Sequence, residues 1–212
     1  EIIKTFKKGN KVLRIFRVDE CLDFSPRDWD NLGKMICFHN RYTLGDKTDL
    51  NSDAFNDWEE LKEYLIKELD ALIIMPLYLF DHSGITISTT PFNCRWDSCQ
   101  IGFIYTTKKD IKENFMIKKI TKKSLKRSEE ILKGEVEIYD HYLTGEVYGF
   151  ELIKKVKVKV KKEYSKNKIK EYITEEEEDL DSCSGYYGDD GIKNIIEETQ
   201  FEGIDEVEEW KD

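Results

Sequence analysis

Residues 72–89 read LIIMPLYLFDHSGITIST, and the fold turns on this stretch. Ala71–Phe80 is the longest apolar run in the chain. Pro76 interrupts it, and it falls far short of the roughly 20 apolar residues that cross a bilayer. Asp81-His82-Ser83-Gly84 supplies the residues that tight turns require, and Ile85–Thr89 is rich in β-branched side chains. Buried strand, turn and second strand together predict an antiparallel hairpin.

Further elements are read outward from that hairpin. Gln100–Thr106 predicts another strand, and Val12–Val18 alternates apolar and basic residues as a half-buried strand does. Phe55, Trp58, Leu61, Leu65 and Leu69 recur at helical spacing, with Ser52 or Asp53 available as N-cap. Lys108–Phe115 predicts a short helix. Leu125, Leu132, Val136, Tyr139 and Leu143 mark one face of a longer one. Asp19–Asp53 has little periodicity but many aromatic and turn-forming residues. It predicts an ordered loop with one short strand near Met35–Phe38.

The C-terminal third changes character. Val156, Val158 and Val160 alternate with lysines in Leu152–Lys162, and Ile169–Ile173 follows a polar turn centred on Lys166-Asn167. That register would set Glu163 against Lys170, Lys157 against Glu176 and Lys155 against Glu178, each pair contributing from a few tenths to about 1 kcal/mol. Residues 153–170 carry nine lysines and one glutamate, net +8. Residues 171–212 carry seventeen acids and two lysines, net −15, so the first 152 residues hold only −3 of the total of −10.

The expected fold is α+β: a mixed or antiparallel sheet of hairpins packed against two or three helices, plus a lysine-rich/acidic C-terminal hairpin. Residues 1–152 are expected to form the main domain, with 153–212 packed on it. Twenty-six aromatic residues supply the core, each able to bury roughly 150–250 Å². No signal-peptide pattern is visible, which fits a cytoplasmic protein. Five scattered cysteines without a C-x-x-C pair fit reduced thiols.

Several residues invite a chemical reading. Asp81, His82 and Ser83 combine acid, base and hydroxyl, yet neighbours on a strand point to opposite faces and cannot relay a proton in line. An enzyme would need Asp81 and His82 joined by Asp97, His39 or Asp28 from elsewhere in the chain. Cys94 and Cys99 make one loose C-x4-C pair, whereas zinc sites use tight paired spacings, so no metal is expected. No cofactor is expected either, since neither a P-loop nor a dinucleotide fingerprint occurs. Lys122, Lys123, Lys126 and Arg127 form a basic helix end able to follow a phosphate backbone, or merely a solvated face. Glu175, Glu176, Glu177 and Glu178 could imitate such a backbone, or only solubilise the chain.

Several blocks of sequence resemble one family. They are Ser25–Gly33 (SPRDWDNLG), Phe38–Asp46 (FHNRYTLGD), Pro76–Ile85 (PLYLFDHSGI), Trp96-Asp97-Ser98, Gly102–Tyr105, Tyr139–Phe150 (YDHYLTGEVYGF) and Asp181–Gly188 (DSCSGYYG). Together they resemble a family of uncharacterised small accessory proteins common in phages and mobile elements. Cys99 departs from the glycine expected after Trp-Asp-Ser. The family carries no assigned chemistry, so the resemblance implies context: an accessory protein acting in the cytoplasm of a host bacterium. Accessory proteins of this size often bind and disable host defence machinery, RNA-guided CRISPR nucleases among it.

The function expected is therefore that of an anti-defence interaction protein. Its partner would be a host protein or ribonucleoprotein, with nucleic-acid contact through the basic patch and no membrane. Trp29, Phe38, Tyr42 and Trp96 would be the anchors. The alternatives are an enzyme with an Asp/His site and a nucleic-acid-binding accessory protein. An enzyme should collect its polar groups in one concave pocket, whereas a binder should spread its contacts over an open surface.

Overall fold

The computed structural model describes residues 1–18, 25–94, 96–165 and 168–207. It is an α+β fold with two antiparallel four-stranded sheets. The chain divides into two compact units, Glu1–Cys21 with Gly145–Asp212, and Leu22–Thr144. No helix among the described residues is long and apolar enough to cross a membrane.

The first unit contains β1 (Ile2–Lys8), β2 (Lys11–Arg17), β7 (Val147–Ser165), β8 (Lys168–Tyr187) and α4 (Gly188–Glu198). Its sheet runs in the order β1-β2-β7-β8. Gly9, at φ 64°, leads the two-residue loop between Lys8 and Lys11, as a type II′ hairpin turn demands. Strand β2 pairs with β7 from Lys11↔Lys154 to Arg17↔Tyr148. Helix α4 buries Ile195 in a core with Phe6, Leu13, Ile15, Phe150 and Phe201. The expected boundary at 152/153 falls inside β7, because the central strand of this sheet is also one arm of the long hairpin.

The second unit holds β3 (Lys34–Cys37), α1 (Trp58–Lys67), β4 (Ala71–Asp81), β5 (Ile85–Ser88), β6 (Ser98–Thr107), α2 (Lys108–Asn114) and α3 (Lys122–Leu143). The sheet order is β3-β6-β4-β5. The hairpin read from residues 72–89 is present, with Tyr78↔Ser88 to Asp81↔Ile85 in register. Alternation along the strands fills two cores. Met35, Leu77, Leu79 and Ile104 pack with Leu132, Val136 and Tyr139 of α3, while Ile36, Phe103 and Tyr105 pack with Leu61 and Leu65 of α1. Each fully buried leucine contributes roughly 1.5–3 kcal/mol. Gly102 sits where a Cβ would strike the carbonyl oxygen of Ile36, so β3 approaches β6 only because no side chain intervenes.

Helix α1 starts later than its apolar spacing suggests. Asp57 is the N-cap, accepting from the Glu60 N–H at 2.9 Å, while Ser52 and Asp53 lie in a separate 3-10 turn. Two strands had no counterpart in the reading of the sequence, or a longer one: β1 was not foreseen, and β8 continues from the short Ile169–Ile173 segment to Tyr187. Helix α4 was concealed within the acidic segment. The turn at Lys166-Asn167 lies outside the described residues.

Candidate interaction sites

The loop after β3 returns along its own strand. Asp46 accepts from the Met35 N–H at 2.9 Å and from both Nε (2.7 Å) and Nη2 (2.9 Å) of Arg27. Arg27 Nη2 also donates to the Gly33 carbonyl at 2.7 Å, and its Nη1 lies 3.6 Å from Glu135 of α3. Glu135 in turn accepts from the N–H groups of Leu32 (2.7 Å) and Gly33 (3.0 Å). Burial pushes the Glu135 carboxyl up, against the pull of those N–H groups and of the guanidinium. The Tyr139 hydroxyl accepts from the Gly45 N–H at 3.0 Å, and burial raises its pKa to about 12. The segment from Ser25 to Asp46 is thus fastened to α3 by a buried polar network, and it carries His39, Arg41 and Tyr42 outward on a fixed base.

Three of the five candidate catalytic residues, Asp81, His82 and Asp97, gather near the end of β4, and His39 reaches them only through Tyr42. Asp81 is held by the Arg41 guanidinium and accepts from the Tyr42 hydroxyl at 3.3 Å, and its N–H donates to the Asp97 carbonyl at 2.8 Å. His82 Nδ1 lies 3.5 Å from Asp97 Oδ2, and the Cys94 thiol donates to the same carboxylate at 3.4 Å. The His39 ring stacks on Tyr42 with centroids 5.1 Å apart. Asp28 is exposed on the 3-10 turn Pro26–Asp28 and has no hydrogen bond to this group. The cluster is an open one: the His82 side chain is 67% exposed, and the Asp81 carboxylate is engaged by a cation and a phenol. Among the described residues, the two cavities lined by Tyr42, one with His39 and one with Arg41, do not include Asp81, His82 or Asp97 in their walls. Among the described residues no group of three or more His, Cys, Asp or Glu side chains is placed to hold a metal.

The four expected anchors fall in different settings. Trp96 is 95% exposed and Trp29 51%. Phe38 and Tyr42 instead line a cavity of about 710 Å³ beside α1, where Phe38 lies nearly parallel to Trp58 with centroids 6.4 Å apart. Lys122, Lys123, Lys126 and Arg127 occupy the first two turns of α3, whose first turn has no acid. Cations there oppose the helix dipole at a cost of a few tenths of a kcal/mol to about 1 each. Lys126 is offset by Glu130 at 3.8 Å, and Arg127 lies over the Phe115 ring at 5.2 Å.

The acidic run lies on β8, and its register differs from the expected one. Lys157 faces Glu175, Lys155 faces Glu177, and Glu163 faces Ile169. A shift between Glu163 and Ser165 moves every pairing by one residue. Arg14 grips Glu177 with two bonds of 3.0 and 2.9 Å and holds its carboxyl below the usual range. Lys154 lies 3.8 Å from Glu178. Because neighbours on a strand face opposite ways, Glu175 and Glu177 share one face of the ribbon and Glu176 and Glu178 the other. The run is not one acidic array.

Past Lys154 the sheet of this unit narrows to two strands. After a last backbone bond from the Lys155 N–H to the Asn10 carbonyl at 2.8 Å, residues 156–165 pair only with β8 among the described residues, a ribbon of about 30 Å at ~3.3 Å per residue. One face alternates Lys155, Lys157 and Lys159 with Glu177, Glu175 and Ile173. The other carries Val156, Val158 and Val160 opposite Glu176, Thr174 and Tyr172. The β-branched residues explain why so long a ribbon forms, and charged side chains along an edge disfavour pairing with another strand. Comparison with protein-family models, with curated proteins and with solved structures finds no match to this chain.

Proposed function

We propose that this chain is an interaction protein whose recognition element is the β7–β8 ribbon, and that its target is a protein of the host's nuclease defence. The ribbon's mixed surface carries the reading. A stripe of valines beside Tyr172 offers apolar contact, and a ladder of alternating charge offers register. Uniformly negative nucleic acid is a poor match for a surface that sets glutamates among its lysines, whereas a protein can complement both signs. The resemblance to phage accessory proteins supports the biological side of the proposal. The open setting of Asp81, His82 and Asp97 favours binding over catalysis.

The test is inhibition of DNA cleavage by a purified RNA-guided nuclease, with the wild-type chain compared with a ribbon in which two facing pairs exchange sign. Lys157→Glu with Glu175→Lys and Lys154→Glu with Glu178→Lys keep each cross-strand attraction while inverting the surface pattern. Loss of inhibition in the exchanged chain is the expected result. Full inhibition by it, or inhibition abolished instead by Asp81→Ala with binding intact, would remove the ribbon from the mechanism.

A further inference from the structure

The cavity beside α1, in the other unit, has a chemistry that ribbon binding does not use. Its volume of about 710 Å³ lies in the range of small-molecule sites. Two pairs of nearly parallel rings line it, Phe38 with Trp58 and His39 with Tyr42, each pair inclined by 13°. Trp58 is fixed from behind by an edge-on contact with Phe103 at 6.2 Å. Walls of this kind suit a flat π-system, which gains stacking that a puckered sugar or an aliphatic chain cannot match.

The polar groups of the wall narrow the choice. Asn40 is exposed and its carboxamide makes no hydrogen bond among the described residues, so one donor and one acceptor stand side by side. That pair matches the ring nitrogen and exocyclic amine on one edge of adenine. His39 Nδ1 accepts from the Arg41 N–H at 3.3 Å, which places the ring proton on Nε2 as a second donor. Lys47, exposed and without a carboxylate partner among the described residues, supplies a cation for a phosphate. Of the two aspartates of the lining, Asp46 is paired with Arg27, and Asp57 accepts the Glu60 N–H at the start of α1.

From these observations we infer that the cavity binds an adenine nucleotide, its base lying against the Phe38 and Trp58 rings and its edge on Asn40. The ligand comes either free or as an unpaired adenine in a single strand. Calorimetric titration of the full chain with AMP and with a single-stranded hexa-adenylate separates the two sources. Hexa-adenylate binding at least about tenfold tighter than AMP identifies a strand, and equal affinities identify the free nucleotide. Phe38→Ala and Asn40→Ala should each weaken binding, the first by about tenfold or more. Asn40 is exposed, so its variant reports on the site even if Phe38→Ala loosens the loop. The ribbon exchange lies in the other unit and should leave AMP affinity unchanged, so failure here and failure of the ribbon are distinguishable. Absence of binding by both probes up to about 1 mM, or wild-type affinity in Asn40→Ala, overturns the inference.

Discussion

Arg27 shows how much of this molecule rests on single side chains. Its side chain is 5% exposed and answers two carboxylates, Asp46 and Glu135, together with the Gly33 carbonyl. Removing it leaves two part-buried acids without their cation; a fully buried pair so broken costs roughly 3–5 kcal/mol, and this one should approach the lower end. Arg27→Met should therefore lower the urea midpoint by that equivalent, and a change below about 1 kcal/mol would show that the network does not fasten the loop. Cys37 offers a second check at this scale. Burial pushes its thiol up to about 12, with the Asp46 charge adding to the effect, so almost no thiolate exists near pH 8. Cys99 and Cys183 are exposed and Cys94 is half-buried. Alkylation followed by peptide mapping should label Cys99 and Cys183 in the native chain, and Cys37 only after denaturation. Early labelling of Cys37 would mean that the β3 region opens in the native state.

At the scale of elements, local pattern was a good guide where neighbours in sequence are neighbours in space. The residue 72–89 hairpin, the Gln100–Thr106 strand and the helices at 58–67, 108–114 and 122–143 were all legible, because a period of two or 3.6 is written into each. Helix α4 was missed for a nameable reason: Ile192, Ile195 and Ile196 have helical spacing, but the surrounding acids drew the reading toward a solvated tail. The ribbon was legible as a hairpin and wrong by one residue in register, since a bulge leaves no mark in composition. Its charge ladder can be tested apart from function. Exposed pairs are worth about 0–1 kcal/mol, so exchanging Lys157 with Glu175 and Lys154 with Glu178 should shift the thermal midpoint by only a few degrees. A single reversal, Lys157→Glu, sets a carboxylate directly against Glu175 and should cost more than the exchange. If the exchange destabilised the chain as much as the single reversal, the cross-strand register would not be what matches the charges.

The whole molecule is where sequence reading ran out. Strand β2 pairs with β7 although all of residues 22–144 intervene in the sequence, and no local signal announces a pairing between Lys11 and Lys154. The candidate sites followed the same rule. Arg41, Tyr42 and Asp81 meet through hydrogen bonds, although forty residues separate Arg41 from Asp81, and the cavity that collects Phe38, His39 and Trp58 was not foreseen. Charge is also arranged over the whole chain: the −10 total hides a +8 stretch running into a −15 one, and folding sets lysines of the first against Glu175–Glu178 of the second on a single ribbon. That interleaving sets the expected response to salt. A partner approaching an array of alternating sign is guided only at short range, because opposite charges cancel beyond a few ångströms. The screening length falls from about 8 Å at physiological salt to about 3 Å at 1 M. On the proposed reading, association with a nuclease partner should therefore slow only modestly, by less than about tenfold, between 0.05 and about 0.5 M salt, with the dissociation rate nearly constant if the valine stripe makes the apolar contact. A steep linear fall of log affinity with log salt, of the order seen when several phosphates are neutralised, would instead assign the contact to nucleic acid and to the Lys122–Arg127 end of α3.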